Sequence, residues 1–364
     1  MMKSVTSKIR RLATALPCTL FALVPLLAVP GAAADAPKVG FVYVSPIGDA
    51  GWTYQHEQGR RALEKDLGIK TTAVEGVAEG ADAERVMRDL ATQGHTLIFA
   101  TSFGYLEPAL RVAADFPALK IEHAGGYKTA ANLNTYNARF YEGRYLAGLL
   151  AGKSSRSGVA GYVAGFPLPE VVQGINAFTL GMRAVNPKAR VVVIWLNAWY
   201  DPPREREAAL TLINQGADVL TNHSGSPAVP QAAEEKGVKL IAYTSDMRRF
   251  APTAQLAAVT HHWGGYYTRV TQAVGAGRWQ PQPVWGGLKD GMVQLTAVHP
   301  SVDKRTRALL EQRRHDIVQG RFQPFSGRLV DNEGQVRQAS GAMSDPAIAT
   351  MNWFVDGVQG KLTK

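Results

Sequence analysis

The segment Lys38-Val39-Gly40-Phe41-Val42-Tyr43-Val44 is a short apolar run, followed by Gly48-Asp49-Ala50-Gly51-Trp52 and then by a helical pattern over residues 53–67. The same order of apolar run, polar or aromatic cluster and helix recurs three times. The later clusters are Phe103-Gly104-Tyr105, Asn197-Ala198-Trp199-Tyr200 and Ser245-Asp246-Met247. In a parallel α/β sheet, ligands bind just beyond the carboxyl ends of the strands. The pattern therefore predicts a binding site made of aromatic rings and an acid, suited to a flat molecule with polar edges.

Strand-like and helical patterns alternate over residues 38–151, and a second such series covers residues 158–260. Strands separated by helices of ten or more residues indicate parallel sheets with helices on both faces. Two series in succession predict two similar α/β lobes, although we find no sequence repeat that aligns. The remainder is less regular, with a charged helix over residues 302–319, a hairpin near 325–330 and a last helix around 346–358.

Residues 1–34 have the pattern of an export signal. Four basic residues between positions 3 and 11 precede an uncharged apolar run over residues 12–30, and Ala32-Ala33-Ala34 supplies small residues at a cleavage site. The alternative is a membrane anchor. Three prolines interrupt the apolar run and the cleavage site follows it, which favours cleavage and a periplasmic protein.

The chain has one cysteine, Cys18, which lies inside this apolar run rather than just after the cleavage site. We therefore expect no lipid anchor, and the mature chain can form no disulfide, thiolate metal site or cysteine nucleophile. The formal charge of +10 falls to +6 when the four basic residues of the signal are removed. The remaining basic residues are scattered, which favours a mildly basic surface over a nucleic-acid footprint.

The sequence resembles the BMP family of ABC-transporter substrate-binding proteins, the basic membrane protein or purine nucleoside receptor group. The likeness runs from about residue 38 to the C-terminus. Four segments carry it. They are Lys38-Val39-Gly40-Phe41-Val42 leading into Gly48-Asp49-Ala50-Gly51-Trp52, Tyr141-Glu142-Gly143-Arg144-Tyr145-Leu146-Ala147-Gly148, Gly216-Ala217-Asp218-Val219, and Ser245-Asp246 after an apolar strand.

The resemblance implies a type I periplasmic binding protein, with two α/β lobes that are joined by three crossovers and close on a ligand. We place lobe 1 at residues 35–140 and 263–298, and lobe 2 at residues 141–262 and 299–364. Many members bind purine nucleosides or nucleobases and deliver them to a membrane permease. One departure is the segment Asn222-His223-Ser224-Gly225-Ser226-Pro227, where the family tends to have a glycine-rich turn, so the pocket wall is expected to differ there.

Aromatic residues just past predicted strands are candidates to sandwich a purine, since stacking is worth about 1–3 kcal/mol per base. The candidates are Trp52, Phe103, Tyr105 and Trp199, with Trp263 near a predicted crossover. The alternative for each ring is core packing, because large aromatic residues near strand ends are often buried. Trp52 has the added support of neighbours that match the family's ligand loop.

Polar candidates would contact the rim of the ligand. An ionised carboxylate accepts from amine and hydroxyl donors, so Asp246, which matches a family ligand acid, and Asp49 are candidates. Asp49 is also a possible helix N-cap, and Asp246 a possible turn residue. Lys289 is a candidate donor with a surface role as its alternative, and Asn137 is either a ligand contact or a hinge or turn residue.

One motif imitates a phosphate loop. Ala147-Gly148-Leu149-Leu150-Ala151-Gly152-Lys153-Ser154 fits a relaxed version of that pattern, but it closes a helix, with Gly152 as the predicted cap, instead of opening one. Other catalytic patterns are weak. His261 and His262 are adjacent, so on a strand they would point to opposite faces and could not both bind one metal ion.

We therefore expect a non-catalytic, monomeric receptor for a purine base or nucleoside that acts with an inner-membrane permease and needs no cofactor or metal. A periplasmic enzyme acting on nucleosides, or a receptor for a sugar or amide nutrient, stays open as the alternative.

Overall fold

The computed structural model describes residues 36–362, and the predicted signal peptide lies outside this range. The strands are β1 (Val39–Val42), β2 (Thr72–Val74), β3 (Leu97–Ala100), β4 (Lys120–Ala124), β5 (Leu133–Ala138), β6 (Val159–Ala164), β7 (Arg190–Trp195), β8 (Val219–His223), β9 (Lys239–Thr244), β10 (Gln255–His261), β11 (Val284–Gly286), β12 (Val293–Thr296), β13 (Leu329–Val330), β14 (Val336–Gln338) and β15 (Val358–Gln359). The helices are α1 (Trp52–Leu67), α2 (Ala81–Thr92), α3 (Leu106–Asp115), α4 (Phe140–Ser154), α5 (Pro169–Val185), α6 (Pro202–Asn214), α7 (Ala228–Lys236), α8 (Gly264–Gly275), α9 (Lys304–Val318) and α10 (Asp345–Ala349).

Two large sheets form the centres of two lobes, as the sequence predicts. The first sheet has the order β11-β5-β4-β3-β1-β2 and is parallel throughout. The second has the order β12-β10-β9-β8-β6-β7-β15, and only its edge strand β12 runs antiparallel to its neighbour. Strands β1–β5 and strands β6–β10 are arranged in the same order within their sheets. In each sheet the strand order therefore reverses beside the first strand, β1 or β6. Such a reversal creates a crevice at the carboxyl ends of the strands.

The chain passes between the two sheets after β5, after β10 and after β11. The third passage, after β11, comes earlier in the chain than residue 298, the lobe boundary that the sequence predicted. Val293–Thr296 forms β12 and pairs with β10 in the second sheet, whereas the sequence assigned residues 263–298 to lobe 1.

Helices α4 and α5 pack closely in the second lobe, and this packing explains the false phosphate-loop pattern. Gly148 and Gly152 both lie inside α4, so Gly152 is not the helix cap that the sequence predicted. An added Cβ on Gly148 would lie 2.0 Å from Phe178 O, and one on Gly152 would lie 2.5 Å from Met182 O. The two glycines therefore allow the backbones of the helices to approach each other.

The C-terminal region departs furthest from the sequence prediction. The last helix, α10, has five residues, and β15 then joins the second sheet beside β7. Asn176 on α5 donates to Trp353 O at 2.8 Å and accepts from Val355 N at 2.9 Å, which holds this segment in an extended conformation. Among residues 36–362, no helix combines the length and apolar character needed to cross a bilayer.

Candidate functional site

A cavity of about 300 Å³ lies between the carboxyl ends of the two sheets. Its walls come from the ends of β1, β2, β3 and β4 and the segments that follow them in the first lobe, and from those of β6, β7, β8 and β9 in the second. The lining residues are Val44, Ser45, Trp52, Glu79, Ser102, Phe103, Ala124, Gly125, Phe166, Glu170, Trp199, Tyr200, His223, Ser224, Gly225 and Thr244. The cavity therefore occupies the crevice that the strand order creates.

Trp52 and Trp199 line this cavity from different lobes. Trp52 is the first residue of α1, and its indole Nε1 donates to Thr101 O at 2.7 Å, which fixes the ring. Trp199 follows β7 and packs edge-to-face with Phe166, with 4.9 Å between the ring centroids. The two lobes thus each present an aromatic wall that is held in place by its own neighbours.

Phe103 also lines the cavity, whereas Tyr105 does not. Both belong to the short 3-10 turn Phe103–Tyr105 after β3. The Tyr105 ring is fully buried in the core of the first lobe, and its hydroxyl donates to Val77 O at 2.6 Å. The structure therefore places Tyr105 in core packing, the alternative reading of this residue.

Trp263 lies behind Trp52 instead of at the cavity surface. Its ring is buried and stacks on His56, with 4.9 Å between centroids, while Trp52 packs against it at 5.8 Å. Trp263 supports the Trp52 ring from the second passage between the lobes.

Asp49 and Asp246 lie outside the cavity walls. Asp49 Oδ2 is 3.0 Å from Arg249 Nη1, an exposed ion pair between the two lobes. Asp246 accepts from Arg248 Nε at 2.8 Å and from Gln255 Nε2 at 2.8 Å. Burial raises the pKa of Asp246, but these hydrogen bonds outweigh that effect and hold it below its usual value. Both carboxylates are therefore paired with protein groups.

The two remaining sequence candidates differ in position. Lys289 is exposed, in the turn between β11 and β12, and does not line the cavity. Asn137, at the end of β5, donates from Nδ2 to Glu170 Oε2 at 2.8 Å. It therefore contacts a cavity residue of the other lobe.

Sequence reasoning did not select Glu170, His223 or Glu79 as binding residues. Glu170 lies in the first turn of α5, after the strand β6, so it repeats the strand, loop and helix order of the four clusters. His223 is the last residue of β8, within the segment 222–227 where the sequence departs from the family pattern. Glu79 Oε1 accepts from Ser102 Oγ at 2.6 Å and from Gly104 N at 3.0 Å. These partners are more than twenty residues away in the sequence, so no local pattern indicates the contact.

Arg144, which is fully buried on α4, contacts β8 and β9, the strands that end at the cavity residues His223 and Thr244. Its guanidinium donates to Thr221 Oγ1 at 2.8 Å and to Asn222 O at 2.6 Å, and it lies 3.4 Å from the centre of the Tyr243 ring. Burial, with the charge of Arg144, holds the pKa of His223 well below its usual value. The His223 imidazole is therefore neutral at physiological pH.

Glu170 lies near His223 and keeps 17% of its side chain exposed at the cavity. Burial raises the pKa of Glu170, and the hydrogen bond from Asn137 opposes that rise. Its Oε1 lies 4.0 Å from His223 Nε2, too far for a direct hydrogen bond. The carboxyl group and the imidazole thus face each other at the cavity with a gap between them.

Contacts between the lobes close the cavity on one side. Ser245 Oγ accepts from Gly51 N at 2.9 Å and from Gln55 Nε2 at 3.0 Å. Thr244, the residue before it, has a φ of 64°, a strained value for a β-branched residue, at the point where β9 turns towards the first lobe. The described conformation is therefore a closed one, in which the second lobe holds the loop that precedes α1.

Comparison with known proteins agrees with this architecture. Residues 36–322 match the family model Bmp, described as ABC transporter substrate-binding protein, PnrA-like. The chain belongs to this family. BMP-family proteins of this kind are the substrate-binding components of ABC transporters, so the chain has a small-molecule ligand and a permease partner, and it works outside the cytoplasm.

Two relatives match nearly all of the described residues. The purine-binding protein of Brucella abortus strain 2308 is 48% identical over 328 residues, which cover 89% of this chain and 93% of that protein. A Haloferax volcanii protein, TsgA13, whose name assigns it as an ABC transporter glucose-binding protein, is 36% identical over 326 residues, 89% of this chain and 81% of that protein.

Solved structures support the fold of this BMP-family protein. A solute-binding protein of an ABC transporter from Conexibacter woesei has a TM-score of 0.66 at 23% identity, covering 79% of this chain and 98% of its own. One from Aeropyrum pernix K1 has a TM-score of 0.67 at 19% identity, covering 79% and 93%. Both confirm the two-lobed α/β fold that the sequence predicts.

Proposed function

We propose that this BMP-family protein captures a purine nucleobase or nucleoside between its two lobes and delivers it unchanged to the permease of an ABC importer. The observation that carries the proposal is the presence of Trp52 and Trp199, from different lobes, on the walls of one cavity. A flat heterocycle between them would contact both lobes, so ligand binding would favour the closed form. The purine-binding relative at 48% identity supports the same ligand class.

The polar groups of the cavity fit the rim of such a ligand. Glu170 and Glu79 offer carboxylate acceptors, while Ser45, Ser102 and His223 can donate or accept. These groups come from both lobes, as the aromatic walls do. A ligand with donors and acceptors around its edge would therefore link the lobes by hydrogen bonds as well as by stacking.

We further propose that the chain acts in the periplasm after removal of residues 1–34, as a monomer and without catalysing a reaction. The three passages of the chain between the sheets would serve as the hinge, and contacts such as that between Ser245 and Gly51 would form on closure. The basic start and small-residue cleavage site of the N-terminal segment support export.

A thermal-shift panel of purine bases, nucleosides, pyrimidines and sugars tests this proposal. A ligand at a hundredfold excess over its Kd should stabilise the protein by about 2.7 kcal/mol. Chromatography of the incubated ligand should recover it unchanged. Release of free base and sugar from a nucleoside would instead identify an enzyme.

Glucose or a related sugar is the second candidate, because a 36% identical relative carries a glucose-binding name and aromatic walls also stack on sugar rings. The same panel separates the two. A shift with glucose and none with any purine would favour the sugar and contradict the purine proposal.

A further inference from the structure

Within the proposed function, one pair of cavity residues narrows the chemistry of the ligand. We propose that Glu170 and His223 together bind one edge of the heterocycle, an edge on which an N–H donor stands beside a ring-nitrogen acceptor. The carboxylate accepts from the N–H, and the imidazole donates to the ring nitrogen. This pairing rests on the proposed function and adds the identity of the residues that select the base.

The first argument is the spacing of the pair. Glu170 Oε1 and His223 Nε2 lie 4.0 Å apart on the cavity wall, so neither satisfies the other directly. A ligand edge with adjacent donor and acceptor atoms can form one hydrogen bond to each group. A single hydroxyl could reach both groups, but it would lack the flat shape that the aromatic walls accommodate.

The second argument is the protonation of His223. The ring is 6% exposed, and its Nδ1 has no hydrogen-bond partner among the described residues. A buried N–H without an acceptor is rarer in proteins than a buried acceptor without a donor. The neutral ring therefore carries its proton on Nε2, the nitrogen beside Glu170, and presents a donor there.

The third argument is that both groups are held in place. Asn137 donates to the other oxygen of Glu170, Oε2, at 2.8 Å, and so fixes the carboxyl group from the opposite lobe. The His223 ring packs against Tyr243, with 4.6 Å between centroids, and Tyr243 in turn covers Arg144. Burial of the ring, and to a lesser extent the nearby guanidinium, disfavours a positive charge on His223 and lowers its pKa, so the ring stays a neutral donor when it meets the ligand.

Adenine is the appropriate probe, because its amino group and ring nitrogens place an N–H beside a ring-nitrogen acceptor on more than one edge. We would titrate the mature chain calorimetrically with adenine and with its 1-, 3- and 7-deaza analogues, in each of which C–H replaces one ring nitrogen. One analogue should bind the unmodified protein at least roughly tenfold more weakly than adenine, because it leaves the His223 donor unpaired.

The variant His223→Phe tests whether His223 reads that nitrogen. In this variant the difference between adenine and the sensitive analogue should fall below about threefold, since no donor is left to satisfy. Equal differences in the unmodified protein and in His223→Phe would overturn the pairing. Glu170→Gln, which retains an acceptor for Asn137, should weaken adenine binding by roughly tenfold or more. The exposed Glu207→Gln is the matched control and should bind as the unmodified protein does.

Glu170→Gln keeps the inference testable if His223→Phe does not fold. Adenine binding that is unchanged in Glu170→Gln would overturn the pairing while leaving the proposed function intact. Binding of inosine without adenine would do the same, because inosine has no N–H group beside a ring-nitrogen acceptor. Failure of the unmodified protein to bind any purine would instead contradict the proposed function itself.

Discussion

Gly51 and Gly225 touch across the two lobes: an added Cβ on Gly51 would lie 2.2 Å from Gly225 O. Gly51 precedes α1 in the first lobe, and Gly225 follows β8 in the second, on the wall of the cavity. Gly225 N also donates to Trp199 O at 2.8 Å, which ties this contact to an aromatic wall. Closure of the lobes therefore requires glycine at position 51.

Gly51→Ala should prevent full closure and weaken ligand binding by roughly tenfold or more. Gly51 has a φ of 100°, so the substitution also strains the loop. Gly48→Ala is the matched control, because Gly48 has a φ of 58° in the same loop but its added Cβ would meet nothing within 4 Å. Calorimetric titration of both variants measures the difference. Equal affinities in the two variants would show that the contact with Gly225 does not limit closure.

Trp199→Ala should weaken purine binding by a factor of about five to a hundred and fifty, the loss expected for one stacking partner at about 1–3 kcal/mol. Trp195→Ala is its control. Trp195 lies on β7, where its ring stacks on Phe354, away from the cavity walls. Trp195→Ala is expected to lower the melting temperature without changing the Kd. A Kd in Trp199→Ala within twofold of the unmodified value would show that this ring does not stack on the ligand.

The sequence predicted the fold and the aromatic walls more completely than the polar contacts. Strand, loop and helix order follows from local periodicity, and so Trp52, Phe103 and Trp199 could be located at the carboxyl ends of strands. The orientation of a side chain within its turn is set by tertiary packing. For that reason Tyr105 could not be separated from Phe103, although only Phe103 lines the cavity.

The polar binding residues could not be predicted from the sequence for a second reason, because their partners are distant or are defined only by the fold. Asp49 and Asp246 have the right residue type and position in the sequence, but their partners, Arg249 for one and Arg248 and Gln255 for the other, become evident only from distances. Glu170 and His223 are 53 positions apart in the printed sequence. No local pattern indicates that they face one another.

Asp246→Asn separates these two views of the site. The sequence interpretation, with Asp246 as a ligand acid, predicts a loss of binding of roughly tenfold or more. The structure predicts a change of less than about threefold, because the carboxylate is occupied by Arg248 and Gln255 and an ion pair of this partly exposed kind contributes up to about 1 kcal/mol. Trp52→Ala, measured beside it, should lose at least about tenfold in affinity. A tenfold loss of affinity in Asp246→Asn would support the sequence interpretation that Asp246 contacts the ligand.

Glu142, at the first passage between the lobes, should make stability depend on pH. Its Oε2 accepts from Leu288 N at 2.7 Å, next to the third passage. Burial raises the pKa of Glu142 to about 7 from a usual value of 4.5, and the nearby Asp290 and Asp345 add to the rise against the effects of Leu288 N–H and Arg139. Between these two pH values the folded protein holds more protons than the unfolded chain. The free energy of unfolding must therefore decrease as the pH rises from 4.5 to about 7.

Glu142→Gln should remove this dependence, because the amide oxygen can still accept from Leu288 N while carrying no charge. The unmodified protein should lose up to about 3 kcal/mol of stability from this group across that range, and the variant should not. Urea unfolding at intervals between pH 4.5 and 8 measures the two curves, with Glu207→Gln as an exposed control that should follow the unmodified protein. Parallel curves for Glu142→Gln and the unmodified protein would mean that the Glu142 carboxyl ionises at the passage between the lobes without cost to folding.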